Sequence, residues 1–190
     1  MNKPFRALNL SEGQMTAGVG AQSVAAEAAF VEFFEATHGD VFRAVLVVAR
    51  DWHVAEDATA TAYMRAWERW PVVARHPSPV AWVIRVAMND SVSWWRRARR
   101  LVGTFGVASA TGAPDFPDPD VRAAVDALPL RQRQVVALRV VLGFDAKDTA
   151  ALLGIAPGTV GAHLSRALDA CRARLEADDG AARLAGGNDG

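Results

Sequence analysis

The segment from Phe144 to Val160 constrains the fold of this chain more than any other part of the sequence. Ala150 is small enough for two helices to cross closely, and four residues later Gly154 can adopt the left-handed conformation that ends a helix. Pro157 stands where a new helix would begin, and Val160 would pack back from it. These spacings predict a helix-turn-helix, whose second helix enters the major groove of DNA. A helical hairpin with no DNA role remains an alternative.

Helical periodicity extends over most of the chain. Apolar residues recur at three-, four- and seven-residue intervals between Phe30 and Val48, and Ser78-Pro79 is a helix-start signal. A second helix is expected from about Val54 to Trp70, and Leu168 is expected on the buried side of the last helix. No alternating apolar pattern of strand length occurs, so we predict an all-α fold of two small helical domains joined by a flexible linker. The predicted segments are a flexible arm over 1–24, a first domain over 25–100, the linker over 101–119, a second domain containing the helix-turn-helix over 120–177, and a flexible tail over 178–190.

Composition and spacing argue against several classes of protein. The formal net charge is zero, so any affinity for nucleic acid must come from local charge. The single cysteine, Cys171, excludes a disulfide framework and suits a reducing compartment. The four histidines show no metal-ligand spacing, and neighbouring acids such as Glu56 and Asp57 point about 100° apart on a helix. We therefore expect no membrane insertion, no metal, no cofactor and no catalytic site.

A family resemblance begins before the helix-turn-helix. Residues 128–139 read Leu-Pro-Leu-Arg-Gln-Arg-Gln-Val-Val-Ala-Leu-Arg, and residues 164–168 after the motif read Leu-Ser-Arg-Ala-Leu. This order resembles the fourth conserved region of extracytoplasmic-function (ECF) sigma factors, in the sigma-70 family. The resemblance implies that the second domain reads the −35 promoter element through Lys147, Pro157, Gly158, Thr159, Gly161, Ala162, His163 and Arg166.

The recognition helix departs from the family pattern. Gly161, Ala162 and His163 stand where the family usually has Lys, Ser and Arg. Losing two cationic contacts should weaken DNA binding and flatten its salt dependence by roughly two units of slope. Gly161 also costs a helix roughly 1 kcal/mol relative to Ala.

The segment from Asp51 to Trp67 resembles the second conserved region of the same family. The resemblance implies a helix that binds the clamp helices of the largest β-type subunit of RNA polymerase, through Glu56, Asp57, Thr61 and Arg65. Ala60 and Thr61 stand where the family commonly has Gln and an acidic residue, which implies either lower polymerase affinity or redistributed contacts. A solvated helix face is the alternative explanation of these charges.

The helix expected from Pro79 to Arg100 resembles the family's −10-reading stretch. Aromatic faces stack on unpaired bases and arginines follow the backbone, which suits separated DNA. Trp82 and Trp94 are predicted to be core, and Trp95 is the candidate for stacking. The predicted −10 contacts are Arg85, Asn89, Asp90, Trp95, Arg96, Arg97, Arg99 and Arg100. The arginine run could instead be a solvated helix end.

Together these features predict a cytoplasmic sigma factor that is not an enzyme. The resemblance implies that it directs core RNA polymerase to promoters and starts transcription by recognising and melting the −10 element and by recognising the −35 element. Its expected partners are promoter DNA and core polymerase, through the clamp helices and the flap, with an anti-sigma factor as a further candidate. The alternative is a stand-alone helix-turn-helix regulator that binds duplex operator DNA without polymerase.

Overall fold

The computed structural model describes residues 12–102 and 118–186, with side chains described within 23–94 and 118–178. The helices are α1 (Glu12–Ala49), α2 (Trp52–Glu68), α3 (Trp70–Val73), α4 (Pro79–Val102), α5 (Pro119–Asp126), α6 (Leu130–Val136), a π-helical turn (Ala137–Val141), α7 (Ala146–Leu153) and α8 (Pro157–Gly186). The described residues contain no β-strand, which confirms the predicted all-α fold. Helix α1 begins inside the predicted arm, α8 ends inside the predicted tail, and most of the predicted linker lies outside the described residues.

Side chains that cap free amides set where helices begin. Asp51 precedes α2, and its Oδ1 accepts a hydrogen bond of 3.0 Å from the Val54 amide. Ser78 precedes α4, and its Oγ accepts a hydrogen bond of 3.2 Å from the Ala81 amide. Pro79 is the first residue of α4, where no donor is needed, so the predicted start signal is confirmed.

Helices α1, α2 and α4 form a three-helix bundle in the first half of the chain. Its centre is filled by fully buried Val and Ile side chains such as Val41, Val83 and Ile84. Two predictions of this half are wrong in detail. Helix α2 ends at Glu68 and does not reach Trp70, and Trp94 is 39% exposed and not core. The side of α4 that carries Trp94 faces an open cleft beside α2, so the ring stays partly accessible to solvent.

Helices α5 to α8 form the second half, with α6 and α7 both packed on α8. Val160, Leu164 and Ala167 continue the inward side of α8. The prediction that Leu168 is buried is wrong, because its side chain is 46% exposed. Neighbouring residues on a helix point about 100° apart, and here the fully buried Ala167 takes the inward position.

The two halves share one hydrophobic core. All six residues from Ala44 to Ala49 are buried, which requires cover on every side of the last turns of α1. Helices α2 and α4 cover one side, while α6 and the π-helical turn cover another. Arg50, which ends α1 in the left-handed conformation (φ 60°), donates from Nη1 to the Asp126 carbonyl at 3.0 Å. This contact was not expected from the sequence, which predicted two modules joined only by a tether.

Candidate functional site

The helix-turn-helix has the geometry that its residue types require. Gly154 adopts φ 64° and ψ 40°, and its amide donates to the Ala150 carbonyl. The next amide, of Ile155, donates to the same carbonyl at 3.1 Å. Val160, fully buried in α8, packs in a small cluster with Ala150. The turn therefore fixes α7 and α8 against each other and leaves the first turns of α8 on the surface.

The residues predicted to read duplex DNA mostly lie on this exposed surface. Lys147 on α7 and Arg166 on α8 supply exposed positive charge among them. His163 differs, because it is half-buried and its Nδ1 is buried with no hydrogen-bond partner among the described residues. The exposed members of the predicted set are Lys147, Pro157, Gly158, Thr159, Gly161, Ala162 and Arg166.

Three arginines of the segment before the helix-turn-helix have structural partners that sequence reasoning did not assign. Arg131 Nη1 donates to the Leu153 carbonyl at 3.4 Å, at the end of α7. Arg133 is buried and donates to the Leu128 carbonyl, while Arg139 donates to the Phe144 carbonyl. Each guanidinium thus satisfies a backbone acceptor at a turn. These positions hold the second half together and orient α7.

Three of the four predicted polymerase-binding residues share one face of α2. Asp57, Thr61 and Arg65 follow each other at four-residue spacing, so they lie on the same side of the helix. They line a cleft of about 340 Å³ between α2 and α4. Glu56 is exposed but does not line this cleft. The face is accessible and carries both signs of charge, which can orient a protein contact.

The residues predicted to read the −10 element follow α4. Arg85 and Asn89 are exposed and lie one turn apart. The helical backbone continues through the predicted stacking residue and the arginine run to Val102. The predicted contacts whose side chains lie outside the described part of the structure are Trp95, Arg96, Arg97, Arg99 and Arg100.

An ion pair brings the two predicted sets together. Arg65 Nη1 of α2 lies 2.9 Å from Asp90 Oδ2 of α4. Both side chains line the cleft that Asp57, Thr61 and Trp94 also line. No sequence signal indicates this pair, because the two residues stand 25 positions apart on different helices. Arg65, which was predicted to bind polymerase, and Asp90, which was predicted to contact DNA, therefore contact each other.

Charged groups also collect where α1 meets α5. Burial raises the pKa of Asp126, and the neighbouring Arg122, Arg50 and Arg133 act in the opposite direction. Arg122 Nε lies 3.7 Å from the Asp126 carboxylate. The junction of the two halves is thus partly polar, with the guanidinium of Arg50 crossing it.

The described residues also bear on other kinds of function. No group of three or more His, Cys, Asp or Glu side chains that could hold a metal ion occurs in the part of the chain that the structure describes. No described helix combines the length and the apolar character needed to cross a membrane.

Comparison with known proteins identifies the family. A family model described as Sigma-70 region 2 matches residues 33–101, and one described as Sigma-70, region 4 matches residues 120–171. The RNA polymerase sigma-E factor of Streptomyces avermitilis is 32% identical over 79% of this chain and 87% of its own length. The ECF RNA polymerase sigma factor SigL of Mycobacterium tuberculosis is 31% identical over 81% of this chain and 93% of its own. This chain belongs to the ECF sigma factors.

A solved structure agrees with this assignment. The ECF sigma factor is similar to the sigma factor RpoE in its complex with the anti-sigma factor NepR from Bartonella quintana, with 25% identity and a TM-score of 0.68. The alignment covers 79% of this chain and 98% of the other. As a sigma factor, the protein directs RNA polymerase to promoters. A stand-alone regulator is not favoured, because both halves match the sigma-70 family in its own order.

Proposed function

We propose that the two halves of this sigma factor divide promoter recognition between them. The first half binds polymerase through α2 and engages the −10 element through α4, and the second half reads the −35 element through α8. The observation that carries this proposal is the exposed start of α8, held behind the left-handed turn at Gly154. The protein acts on polymerase and DNA in the cytoplasm and performs no catalysis of its own.

Recognition by α8 depends more on shape than on charge. Thr159 and Ala162 have small side chains and Gly158 and Gly161 have none, so the helix can approach the groove edges closely. Positive charge comes from Lys147 and Arg166, which suit phosphate contacts on either side. Fewer cations near the bases mean weaker duplex binding in isolation, and attachment to polymerase supplies the missing affinity through high effective concentration.

The −10 contacts follow one helix, with its first polar positions at Arg85 and Asn89. Asn89 offers both a donor and an acceptor to an unpaired base, and Arg85 offers a guanidinium to phosphate. Because Asp90 pairs with Arg65, we assign Asp90 the role of orienting α4 against α2 and not that of a DNA contact. Trp95 and the arginines from Arg96 to Arg100 continue the same helix and are assigned to stacking and backbone contacts.

An anti-sigma factor is a further proposed partner. The similar RpoE structure contains the anti-sigma factor NepR. CnrH, which is 21% identical and has a TM-score of 0.57, shares the fold and was solved with the cytosolic domain of CnrY. The cleft beside α2 and the junction of the halves are the described surfaces that such a protein could cover.

The test is reconstitution of the full chain with core RNA polymerase, followed by mapping of transcript start sites. We expect co-purification with core polymerase and run-off transcription, with poor binding of duplex DNA by the protein alone. The variant Arg96→Ala with Arg97→Ala should transcribe less while its affinity for polymerase holds.

Arg172→Ala with Arg174→Ala removes the same charge from the exposed side of α8 and serves as the matched control. Equal loss of polymerase binding and transcription in the Arg96 and Arg97 variant would show that these arginines do not act on DNA. Failure of the unmodified chain to bind core polymerase would contradict the proposed function itself.

A further inference from the structure

Arg50 has a backbone conformation that is unusual for its residue type. It directly follows α1 and adopts φ 60°, and in the described parts of the chain the other residues with positive φ are Gly143 and Gly154. The left-handed conformation brings a Cβ close to the following carbonyl oxygen, a contact that glycine avoids. Glycine would therefore suit the backbone at this position better than arginine. The retained arginine points to a role for its side chain.

The side chain of Arg50 crosses the junction of the two halves. Its Nη1 donates a hydrogen bond of 3.0 Å to the carbonyl of Asp126, the last residue of α5. Carbonyl groups at the end of a helix lack a partner within the helix and carry partial negative charge. A guanidinium is a favourable donor to such a group, and hydrogen bonds from charged donors are stronger than those between neutral groups. The bond is also part-buried, so water competes with it less than at an exposed site.

The Asp126 carboxylate strengthens the contact of Arg50 with α5. Burial raises the pKa of this carboxyl, whereas the positive charges of Arg122 and Arg50 lower it. Arg122 lies on α5 itself, but Arg50 comes from the first half. Removing the Arg50 guanidinium would therefore weaken both a hydrogen bond and a charge interaction between the halves.

The contact between the halves places the helix-turn-helix opposite the proposed −10 residues of α4. Arg85 and Asn89 line a cleft of about 270 Å³, and the second half lines the same cleft through Arg131, Leu153 and Gly154. Arg85 also borders a groove of about 350 Å³ that α7 lines from the other half. Spaces of this size suit one small molecule, whereas a DNA strand occupies a groove along several nucleotides. The second half therefore stands where a strand bound to α4 would run.

We propose that Arg50 is a latch: its side chain holds the second half closed over α4 in the free protein, which keeps the −10 contacts from DNA. The inhibition of DNA binding rests on the proposed function of α4, whereas the latch does not. The apparent affinity for a −10 strand is reduced to the fraction of molecules that are open. A change that raises a small open fraction about tenfold should therefore tighten DNA binding by the free protein about tenfold.

The first test measures opening of the full chain by thiol labelling. Ala137 is fully buried in the shared core, so Ala137→Cys reacts with a thiol reagent when that core opens, and Cys171→Ser removes the native thiol. Arg50→Gly should raise the labelling rate about tenfold or more, the usual effect of losing a hydrogen bond to a charged group. Arg43→Ala should leave the rate unchanged, because this exposed arginine of α1 pairs with Asp40 of the same helix.

A second labelling position separates the latch from general stability. Ala62 is fully buried within α2, so Ala62→Cys reports on unfolding of the first half. Arg50→Gly should not accelerate labelling there, because glycine suits the left-handed backbone at position 50. Equal acceleration at Ala62→Cys and Ala137→Cys would overturn the latch, as would an unchanged rate at Ala137→Cys.

The second test measures binding of the free protein to a single strand that carries the −10 element of a promoter mapped by reconstitution. Arg50→Gly should tighten this binding by the same factor by which it raises labelling at Ala137→Cys. Run-off transcription with saturating core polymerase should stay unchanged. Faster labelling without tighter DNA binding would overturn the inhibition. Failure of the unmodified chain to bind core polymerase would contradict the proposed function instead, and the labelling test of the latch would still stand.

Discussion

At the scale of single residues, the recognition helix is notable for the side chains that it lacks. Gly161 is exposed, and a Cβ added there would meet no atom within 4 Å. The position can therefore accept a Cβ without a clash against neighbouring parts of the protein. Glycine leaves no side chain projecting from this part of the helix. Because glycine is unfavourable inside a helix, it also lowers the stability of the helix. Substitutions at Gly161 can therefore separate the effect of charge on DNA binding from the effect of helix propensity on stability.

The first prediction concerns Gly161→Lys and Gly161→Ala. Both should raise the free energy of unfolding, by up to about 1 kcal/mol for Ala. Only Gly161→Lys should strengthen binding of the polymerase complex to −35 duplex DNA, with a salt dependence steeper by about 0.9 in slope. Affinity measured across a salt series checks this. If the Ala variant steepened the salt dependence as much as the Lys variant, α8 would not face phosphates at this position.

Tyr63 is the second informative residue, since it is the chain's only tyrosine. Burial between α1 and α2 raises its pKa to about 12 from 10.0, with a smaller effect in the same direction from Asp40. Its hydroxyl lies 2.7 Å from Thr37 Oγ1, a hydrogen bond that lowers the pKa and only partly offsets the burial. A raised pKa means that the folded protein prefers the neutral phenol. The stabilisation is therefore complete below pH 10 and is lost as pH rises from 10 to about 12.

The second prediction follows from the raised pKa of Tyr63. The free energy of unfolding should fall by about 2–3 kcal/mol between these two pH values, because a tenfold change in proton affinity is equivalent to about 1.4 kcal/mol. Tyr63→Phe should remove this part of the pH dependence. The ultraviolet absorbance of tyrosinate reports a single residue here and should titrate only at strongly alkaline pH. A titration near the ordinary tyrosine pKa would show that the ring is not buried.

At the scale of elements, α2 and α4 are joined by the Arg65–Asp90 ion pair. The pair is half-exposed, with side-chain exposures of 49% and 31%, so its contribution to stability is small. Its position matters more than its strength, because it connects the proposed polymerase face to the proposed DNA helix. Polymerase binding at Arg65 would alter how α4 is held.

The third prediction is a double-mutant cycle of Arg65→Ala and Asp90→Ala. The coupling in unfolding free energy should be about 0.2–1 kcal/mol. Arg65→Ala should weaken polymerase binding, while Asp90→Ala should leave that binding intact and lower promoter opening. The reversed pair, Arg65→Asp with Asp90→Arg, should restore opening more than polymerase affinity. Equal effects of both single variants on polymerase affinity would contradict the separate roles.

Helix starts and the turn at Gly154 could be predicted from sequence because each depends on residues close in the chain. Ser78 caps α4, and Pro157 opens α8, as their residue types require. The exposure of Trp94 could not be predicted, since periodicity gives a stripe but not which neighbour covers it. The Arg65–Asp90 pair depends on how two helices are rotated against each other. That rotation cannot be inferred from the residues close to either position in the chain.

At the scale of the whole molecule, the core shared by the two halves limits how far apart two DNA elements can lie if one chain is to contact both. The −10 and −35 elements are separated by about 25 base pairs, or roughly 85 Å at ~3.4 Å per base pair. In this structure the two halves touch, with Arg50 Nη1 3.0 Å from the Asp126 carbonyl. Arg85 of the proposed −10 set and Asp148 of α7 border one groove, so on the proposed function one molecule in this arrangement cannot contact both elements. On the proposed function, the halves therefore part when the sigma factor occupies a whole promoter.

The fourth prediction is a change in distance between the halves. Fluorescent labels at Glu68→Cys in α2 and Glu176→Cys in α8, with Cys171→Ser to remove the native thiol, report it. Energy transfer should be higher in the free protein than in the polymerase–promoter complex. Labels at Glu35→Cys and Glu68→Cys, both in the first half, should show no change. Unchanged transfer in the first pair would mean that the halves do not separate.

The covered end of α1 has one more consequence, for the lifetime of the protein in the cell. Parting the halves exposes to water the side of the 44–49 segment that α6 and the π-helical turn cover. A contiguous apolar patch of that kind promotes aggregation and marks a chain for degradation. Molecules that open without polymerase should therefore be cleared faster than closed or polymerase-bound ones. The cellular supply of core polymerase would then help to set how much of this factor survives.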